Sequence, residues 1–347
     1  MVGFVPPVID GHNDVLSHLQ DENAPDDALL RAGTATITVP SARAGGLAAG
    51  LFAVLPPAPP WKITRTPGGY EIPMAPPVPF EESTRSIAAL GARLFRLLAA
   101  TDGQIRLVKA VGDLDACLQG DALGVIFHME GAEAIDTQLD ALEVWYAAGL
   151  RSVGIVWSRP NAFAHGVPFK FPSTPDTGPG LTPAGTRLVK RCAELGIAID
   201  LSHLNAAGFW DVARTLDGPL IASHSGVHAL CTYSRNLTDD QLDAIGSSGG
   251  LVGINFDVGS LRADGGDDAD TPIAKIAEHA RYVADRIGVD NVALGSDFDG
   301  ATMPAELADA SGYPLVLAAL EAAGFESDEV ERIASGNWRR VLAAAWG

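Results

Sequence analysis

Short apolar runs alternate along this chain with longer segments in which apolar residues recur every third or fourth position. Eight of the runs have the length and residue types of buried strands, and they cover residues 7–10, 46–55, 122–129, 152–157, 197–201, 219–223, 250–256 and 291–296. The segment TPIAKIAEHARYVADRIG (271–288) has clear helical spacing. It predicts a helix that ends at Gly288, with Asp270 and Thr271 as capping groups in front.

The strand and helix units together predict the fold class. Strands that are apolar on both faces belong to a parallel α/β sheet covered by helices, and a count of eight favours a closed (β/α)8 barrel of the TIM type over an open sheet. The 347 residues would allow two domains, but barrels longer than about 250 residues commonly form one domain, and no linker is apparent. We therefore expect a single (β/α)8 barrel domain over residues 1–347.

Two stretches rich in Pro, Gly and aromatic residues interrupt this rhythm, at 56–80 and 159–183. Each follows a strand, so each is interpreted as a long βα loop. Such loops either wall or cover a pocket, or they form a surface or oligomer contact. The sequence leaves both alternatives open.

Composition and charge narrow the class of protein. Apolar residues make up 47% and charged residues 19%, and the formal net charge of −19 disfavours binding to nucleic acid or to an anionic membrane. The chain has neither a secretory leader pattern nor a run of ~18 apolar residues, which predicts a cytoplasmic protein. The cysteines Cys117, Cys192 and Cys231 form no CxxC pair, so buried free thiols are expected.

Polar residues gather where the predicted strands end. In VIDGHNDVL (8–16), Asp10, His12 and Asp14 occupy alternate positions, which face the same side of an extended chain. His12 and Asp14 can therefore grip one metal ion together. The alternative is a turn in which both side chains are solvated.

The later strands end in the same kinds of residue. They contribute Glu130 in FHMEG, His203 in DLSH, His224 in ASHSG, and Asp297 and Asp299 in GSDFDG. A barrel converges its strand ends on one axis, so these groups would share a pocket with His12 and Asp14. Crowded carboxylates repel each other unless cations compensate them, and a mixture of imidazoles and carboxylates suits zinc or another first-row metal. Five ligands fit two ions that share one carboxylate.

A pair of metal ions ~3.5–4 Å apart can hold a hydroxide at neutral pH and polarise a carbonyl, which predicts hydrolysis of an amide or ester. Asp297 is the candidate proton shuttle between the attacking water and the leaving amine. Asp299 is expected mainly to orient its neighbours. His128 is expected to be a core residue or to support a ligand rather than to be a sixth ligand, and His228 is expected to belong to the loop after His224.

The motifs DGHND, MEGAEAI, DLSH, SHS, SRN and GSDFDG occur in an order that resembles the membrane (renal) dipeptidases, binuclear zinc peptidases with a (β/α)8 fold. The resemblance covers nearly the whole chain. It implies that His12 and Asp14 bind one zinc ion, that His203 and His224 bind the other, and that Glu130 bridges the two; it also implies Asp297 as the acid/base group.

The resemblance further implies that Arg235, in SRN, pairs with the terminal carboxylate of the substrate, as a guanidinium fork does well. The alternative for Arg235 is a structural ion pair at the start of a helix. One departure concerns Trp157, which stands where the family usually has a substrate-contacting histidine. His165 or Arg159, in the loop just after it, is a candidate for the missing hydrogen-bond donor.

The favoured function is a metal-dependent dipeptidase that hydrolyses short dipeptides, L-Xaa-L-Xaa and, as the resemblance implies, L-Xaa-D-Xaa, in a single catalytic domain. The resemblance also suggests a homodimer. A second hypothesis keeps the binuclear site but changes the substrate to another amide, a lactam or an ester, which the Trp157 departure supports. A third, a metal-binding barrel without catalysis, would require a broken ligand set, whereas this set is complete.

Overall fold

A computed structural model describes residues 5–20, 27–60 and 62–347. Its strands are β1 (Val8–Asn13), β2 (Leu47–Val54), β3 (Thr64–Thr66), β4 (Gly69–Ile72), β5 (Ile105–Leu107), β6 (Leu123–Glu130), β7 (Leu150–Gly154), β8 (Phe169–Phe171), β9 (Ala198–Asp200), β10 (Ile221–Ser225), β11 (Leu251–Ile254) and β12 (Val292–Leu294). Its α-helices are α1 (Val39–Gly45), α2 (Phe80–Ala100), α3 (Val111–Leu118), α4 (Asp140–Ala148), α5 (Pro183–Leu195), α6 (Ala206–Thr215), α7 (Asp239–Ser247), α8 (Val258–Leu261), α9 (Ala274–Ile287), α10 (Tyr313–Ala322), α11 (Ser327–Glu331) and α12 (Asn337–Trp346).

Eight parallel strands close into a barrel in the order β1, β2, β6, β7, β9, β10, β11, β12 and back to β1. Each lies on one of the eight apolar runs, so the predicted (β/α)8 barrel is confirmed. The strand β5 was not predicted. Its three residues pair with the first residues of β6, and β7 pairs with the later residues of β6 along the same edge. A segment this short has no periodicity to detect.

The barrel interior is filled by side chains from several strands, among them Ile9, Leu51, Ile126 and Leu251. The fully buried Trp338 of α12 packs into the same cluster, and its indole N–H donates to the Leu294 carbonyl at 2.9 Å. A larger apolar layer lies between the strands and the surrounding helices. The barrel is therefore a packed core, and its open end is left for polar groups.

The helix predicted at 271–288 is α9, and it ends before Gly288 as expected. The expected capping by Asp270 and Thr271 is wrong, because the position before the helix is Ile273 and no side chain caps it. The Thr271 hydroxyl instead donates to the Asp268 carbonyl at 2.6 Å, within the turn that precedes the helix. The Thr271 side chain thus stabilises a local turn instead of capping the helix.

The two long loops meet in a three-stranded antiparallel sheet. Strand β4 pairs with β3 of the same loop and with β8 of the second loop. Together with Trp157 and Ser158, the loops border a cavity of about 190 Å³, here called the loop cavity, whose other walls include Pro59, Ile72, Met74 and Phe169. Of the two alternatives left open for these loops, the structure shows the one in which they wall a pocket. Trp61, within the first loop, lies outside the described residues.

The three cysteines, Cys117, Cys192 and Cys231, are buried and free, as expected. None of the helices in the described part of the chain is long and apolar enough to cross a membrane.

Candidate functional site

The polar residues Asp10, His12 and Asp14 at the end of β1 fall into two groups. The Asp10 carboxylate accepts hydrogen bonds from the Ser296 backbone N–H at 2.7 Å, the Ser296 hydroxyl at 2.9 Å and the Asn13 amide at 3.1 Å. Burial raises the pKa of Asp10 to about 6. Asp10 therefore joins the end of β1 to the chain after β12, while His12 and Asp14 face a separate cluster.

The centre of that cluster is the Glu130 carboxylate at the end of β6. Its Oε1 lies 2.9 Å from His203 Nε2 and 3.7 Å from both His12 Nε2 and His224 Nε2. Asp14 Oδ1 is 3.8 Å from His12 Nε2, and the Nε2 atoms of His203 and His224 are 3.2 Å apart. The five side chains singled out in the sequence as metal ligands thus converge on one place.

These side chains form two groups of three whose donor atoms all lie within 4.8 Å of one another: His12, Asp14 and Glu130, and Glu130, His203 and His224. Glu130 belongs to both groups. A third combination of His12, Asp200 and His224 also satisfies the distances. Its Asp200 carboxylate, however, already accepts hydrogen bonds from the Ser202 hydroxyl at 2.7 Å and the Ser223 hydroxyl at 2.6 Å. Asp200 is therefore better suited to orienting its neighbours than to binding a metal.

Two serines orient the paired histidines. The Ser158 hydroxyl is 2.9 Å from His203 Nδ1, and the Ser223 hydroxyl is 2.8 Å from His224 Nδ1. Since Ser223 donates its own proton to Asp200, it accepts the proton on His224 Nδ1. Bonds of this kind leave Nε2 of each ring available to bind a metal ion. Neither serine was predicted from the sequence; only the position of Ser223 directly before His224 offered a signal.

The residues fit a divalent cation. Buried donor atoms of His12, Asp14 and Glu130 have no hydrogen-bond partner within the described part of the chain, which is costly unless something else binds them. Burial lowers the pKa values of His203 and His224 well below the usual value, which favours the neutral imidazole that binds metals.

The electrostatics of Glu130 and His12 also favour a bound cation. Burial raises the pKa of Glu130 well above its ordinary range. Burial would lower the pKa of His12, but the charges of Glu130 and Asp14 raise it to about 10, so the cluster favours a positive charge at this point.

Asp297 follows β12 in a left-handed backbone conformation, with φ of 64°. Its N–H donates to the His12 carbonyl at 2.9 Å, and its Oδ2 accepts from the Asn255 amide at 3.0 Å. Burial raises the pKa of Asp297. A Cβ added at Gly300 would collide with oxygens of both Asp14 and Asp297, so these two carboxylates meet above that glycine.

Asp299 faces away from the cluster. Its carboxylate accepts from the Thr36 hydroxyl at 2.7 Å and lies 3.1 Å from His18 Nε2. This is the orienting role expected for Asp299. His128 likewise stays outside the two donor groups: its Nδ1 is 2.9 Å from the Ser152 hydroxyl, as expected for a core or supporting residue. His228 binds the Ser173 carbonyl at 2.8 Å and lies in the loop, as expected.

Arg235 is buried beside the cluster, and its guanidinium donates to the His224 carbonyl at 3.2 Å. Its positive charge acts to lower the pKa values of Glu130 and Asp297, which places it in electrostatic reach of both. Among the described residues it forms no ion pair with a carboxylate within 4.0 Å. The structural ion pair considered as the alternative for Arg235 is thus not found there.

Trp157 connects the cluster to the loop cavity. Its indole ring lies 6.0 Å from the His203 ring and 5.7 Å from the Phe169 ring, and it borders the cavity. The His165 carbonyl accepts from the Asn205 N–H at 3.4 Å, and its side chain is not among the cavity's lining residues. Arg159 lies against the indole with its guanidinium carbon 5.0 Å from the ring centre, and it too is not a lining residue.

Comparison with known proteins gives consistent results. The sequence model of the membrane dipeptidase family, peptidase family M19, matches residues 5–346. The crystal structure of dipeptidase AC, described as a metallo peptidase of family M19, superimposes with a TM-score of 0.93 at 42% identity, over 98% of this chain and 99% of that one.

A metallo peptidase from Rhodobacter sphaeroides, solved with a phosphinate mimic of the dipeptide L-Ala-D-Ala, has a TM-score of 0.93 at 40% identity, over 99% of this chain and 100% of that one. An uncharacterized protein encoded in the pqqA 5' region of Klebsiella pneumoniae is 46% identical over 255 residues, which are 74% of this chain and 94% of the relative.

Proposed function

Because the chain belongs to the membrane dipeptidase family, peptidase family M19, we propose that it holds two zinc ions and hydrolyses the peptide bond of short dipeptides. The observation that carries the proposal is the pair of three-residue donor groups that share Glu130. His12 and Asp14 would bind one ion, His203 and His224 the other, and Glu130 would bridge them. When bound, the two ions would polarise the scissile carbonyl and lower the pKa of water.

Asp297 is the proposed proton shuttle. Its carboxylate adjoins that of Asp14, and the Asn255 amide fixes one of its oxygens at 3.0 Å. A carboxylate held in this position, beside the proposed zinc ligand Asp14, can both accept and release a proton. Asp297 would take a proton from the attacking water and return it to the leaving amine.

Arg235 is proposed to bind the terminal carboxylate of the dipeptide. The guanidinium is buried beside His224, and an additional carboxylate would supply the bidentate partner that Arg235 lacks among the described residues. A fixed site for the terminal carboxylate near the ions would restrict hydrolysis to short peptides. Trp157 and His165 complete the proposed substrate site. Trp157 is a wall of the loop cavity, and His165 is proposed as a hydrogen-bonding group because its buried Nδ1 has no partner among the described residues.

One alternative to dipeptides as the substrate class is left open. Trp157 stands where the family usually has a substrate-contacting histidine, and an indole wall would also suit another amide, a lactam or an ester. The mimic of L-Ala-D-Ala bound by the relative from Rhodobacter sphaeroides supports a dipeptide, and it supports including L-Xaa-D-Xaa substrates. The single catalytic domain over residues 1–347, the homodimer and the cytoplasmic location stay predictions.

The test is hydrolysis of a panel of L-Xaa-L-Xaa and L-Xaa-D-Xaa dipeptides, with lactams and esters in parallel, by the zinc-loaded protein. Asp297→Asn is expected to abolish cleavage while the bound zinc, measured by elemental analysis, stays at two ions per chain. Asp299→Asn is the matched control, since Asp299 has the same left-handed backbone but faces Thr36 and His18. It should keep most of the activity. Cleavage of lactams or esters but of no dipeptide would contradict the proposal.

A further inference from the structure

We propose that Asn255 is a positioning residue for the proton shuttle: its amide occupies Oδ2 of Asp297, so that Oδ1 is the one atom that takes and returns the proton. The inference rests on the proposed function, because it needs Asp297 to carry a proton between the attacking water and the leaving amine. It goes beyond that function by naming the atom that carries the proton and the residue that selects this atom.

Asn255 comes directly after β11, at the same end of the barrel as the candidate ligands. The apolar run that predicts this strand, 250–256, contributes none of the residues singled out from the sequence. The Asn255 Nδ2 donates to Asp297 Oδ2 at 3.0 Å, and so reaches the chain that follows the neighbouring strand β12. A residue that no motif marks thus contacts the proposed proton shuttle directly.

The orientation of the Asn255 amide is fixed by a second hydrogen bond. Its Oδ1 accepts the Asp257 backbone N–H at 2.7 Å. A backbone N–H can only donate, so the amide oxygen must face Asp257 and the amide NH2 group must face Asp297. Asn255 therefore reaches Asp297 as a donor, and a hydrogen bond to an ionised carboxylate is roughly twice as strong as a neutral one.

The two chain segments that meet in this contact are themselves held in place. The Asp297 N–H donates to the His12 carbonyl at 2.9 Å. The residues that follow Asn255 and Asp297 are Phe256 and Phe298, both buried, and their rings meet edge to face with centroids 6.3 Å apart. The hydrogen bond therefore joins two segments whose positions are set by packing, and it can hold the carboxylate in one orientation.

The other oxygen of Asp297 faces the candidate metal site. A Cβ added at Gly300 would collide with Asp297 Oδ1 and with Asp14 Oδ2, so these two oxygens border the same small space. Within the described part of the chain, no hydrogen bond to Asp297 Oδ1 is formed. Since Oδ2 is occupied and Oδ1 is available, the two oxygens of one carboxylate have different tasks.

The consequence is a defined path for one proton. Asp297 Oδ1 takes the proton as an O–H bond of the attacking water breaks, and it gives the proton up as the N–H bond of the leaving amine forms. A carboxylate without the Asn255 bond could turn about its Cβ–Cγ bond and leave this position. General acid–base catalysis depends on hydrogen-bond geometry, so loss of the amide should slow the reaction more than it weakens the binding of substrate.

The first experiment compares dipeptide hydrolysis by zinc-loaded Asn255→Ala and Asn291→Ala. Asn291 is the matched control, because its buried amide donates to the Gly250 carbonyl at 2.7 Å and so joins β11 and β12 at their opposite ends. In Asn255→Ala, kcat is expected to fall about 10- to 100-fold, with KM changed less than about threefold. Asn291→Ala should unfold at lower denaturant concentration but keep kcat within about threefold of the wild type.

The second experiment needs no hydrolysis and exchanges the donor and the acceptor. Denaturant unfolding is measured for Asn255→Asp, Asp297→Asn and the double variant, all zinc-loaded. In Asn255→Asp two carboxylate oxygens face each other without a proton donor, so the unfolding midpoint should fall. In the double variant the amide and the carboxylate have changed places, so the hydrogen bond forms in the reverse direction and most of the lost midpoint should return. The double variant should stay inactive, because position 297 no longer carries a carboxylate.

An unchanged kcat in Asn255→Ala, or an equal fall of kcat in Asn291→Ala, would overturn the positioning role and leave the proposed dipeptidase function intact. A double variant no more stable than Asn255→Asp would overturn the direct contact. If the wild type cleaved no dipeptide but the exchange restored stability, the proposed function and the role of Oδ1 in proton transfer would fail together, whereas the contact between Asn255 and Asp297 would be supported.

Discussion

Single serine hydroxyl groups determine the ring orientation of two histidines in the candidate site. Ser158 and Ser223 each bind the Nδ1 atom of one histidine, so that Nε2 of both rings faces Glu130. Asp200 in turn accepts the Ser223 proton. The candidate ligands are therefore supported by a second set of residues. Asp200 and Ser223 lie within the motifs DLSH and SHS, but no motif shows the role of these residues or of Ser158.

Ser223→Ala is expected to weaken zinc binding by about 10- to 100-fold, because His224 would lose the bond that fixes its ring and its tautomer. The measurement is competition with a fluorescent chelator. Ser225→Ala is the matched control: Ser225 lies in the same strand, and its buried hydroxyl has no hydrogen-bond partner among the described residues. Equal loss of affinity in the two variants would contradict the role of Ser223.

The buried His279 predicts how the stability of the fold depends on pH. Its Nδ1 accepts from the Val227 N–H at 3.0 Å and its Nε2 donates to the Leu261 carbonyl at 3.1 Å, so the ring is held neutral, and burial lowers its pKa to about 4. The unfolded chain takes up the proton near pH 6.5, so this contribution is present above that pH and is lost as the pH falls toward 4. The loss should reach about 3 kcal/mol.

The measurement is urea unfolding of the wild type and of His279→Gln between pH 7.5 and 4.5, with chelator present so that metal binding does not contribute. The difference between the two proteins isolates His279 from the other titrating groups. The wild type should lose more stability than the variant over this interval. Parallel curves would show that His279 is not held neutral.

At the scale of elements, the strand ends were predictable and the loops were not. The runs that became barrel strands are apolar on both faces, and a closed barrel must bring their ends together, so the convergence of His12, Glu130 and His203 followed from the pattern. The sheet formed by β3, β4 and β8 joins segments about 100 residues apart, and no local periodicity encodes such pairing. Ser158 escaped detection for a similar reason, since its partner His203 lies 45 residues further along the chain.

Gly300 is the point at which the loop after β12 allows two carboxylates to approach each other. Gly300→Ala is expected to cost about 1–3 kcal/mol of stability and to lower kcat/KM by about 100-fold or more, because the added methyl group collides with Asp14 and Asp297. Gly112→Ala is the control, since a Cβ there meets no heavy atom within 4 Å. Dipeptide hydrolysis and thermal unfolding of both variants test this, and equal activity of the two would contradict it.

At the scale of the whole molecule, the candidate site ties together distant parts of the barrel. His12 and Glu130 lie in β1 and β6, His224 lies in β10, and His203 follows β9. The chain carries a formal net charge of −19, and the buried carboxylates of the cluster are part of that excess. Ions bound at this site would cross-link four strands and remove repulsion between carboxylates, so metal binding and folding should be coupled.

Zinc at about 1,000 times its dissociation constant should therefore raise the unfolding free energy by about 4 kcal/mol for each ion bound, relative to the chelator-treated protein and less any zinc bound by the unfolded chain. The measurement is denaturant unfolding with and without chelator. Asp297→Asn should keep most of this increase, because Asp297 is not a proposed ligand. Glu130→Gln should lose most of it, since Glu130 belongs to both donor groups. An equal increase in the wild type and Glu130→Gln would mean that the stabilising zinc binds elsewhere, and the proposed bridging role would fail with it.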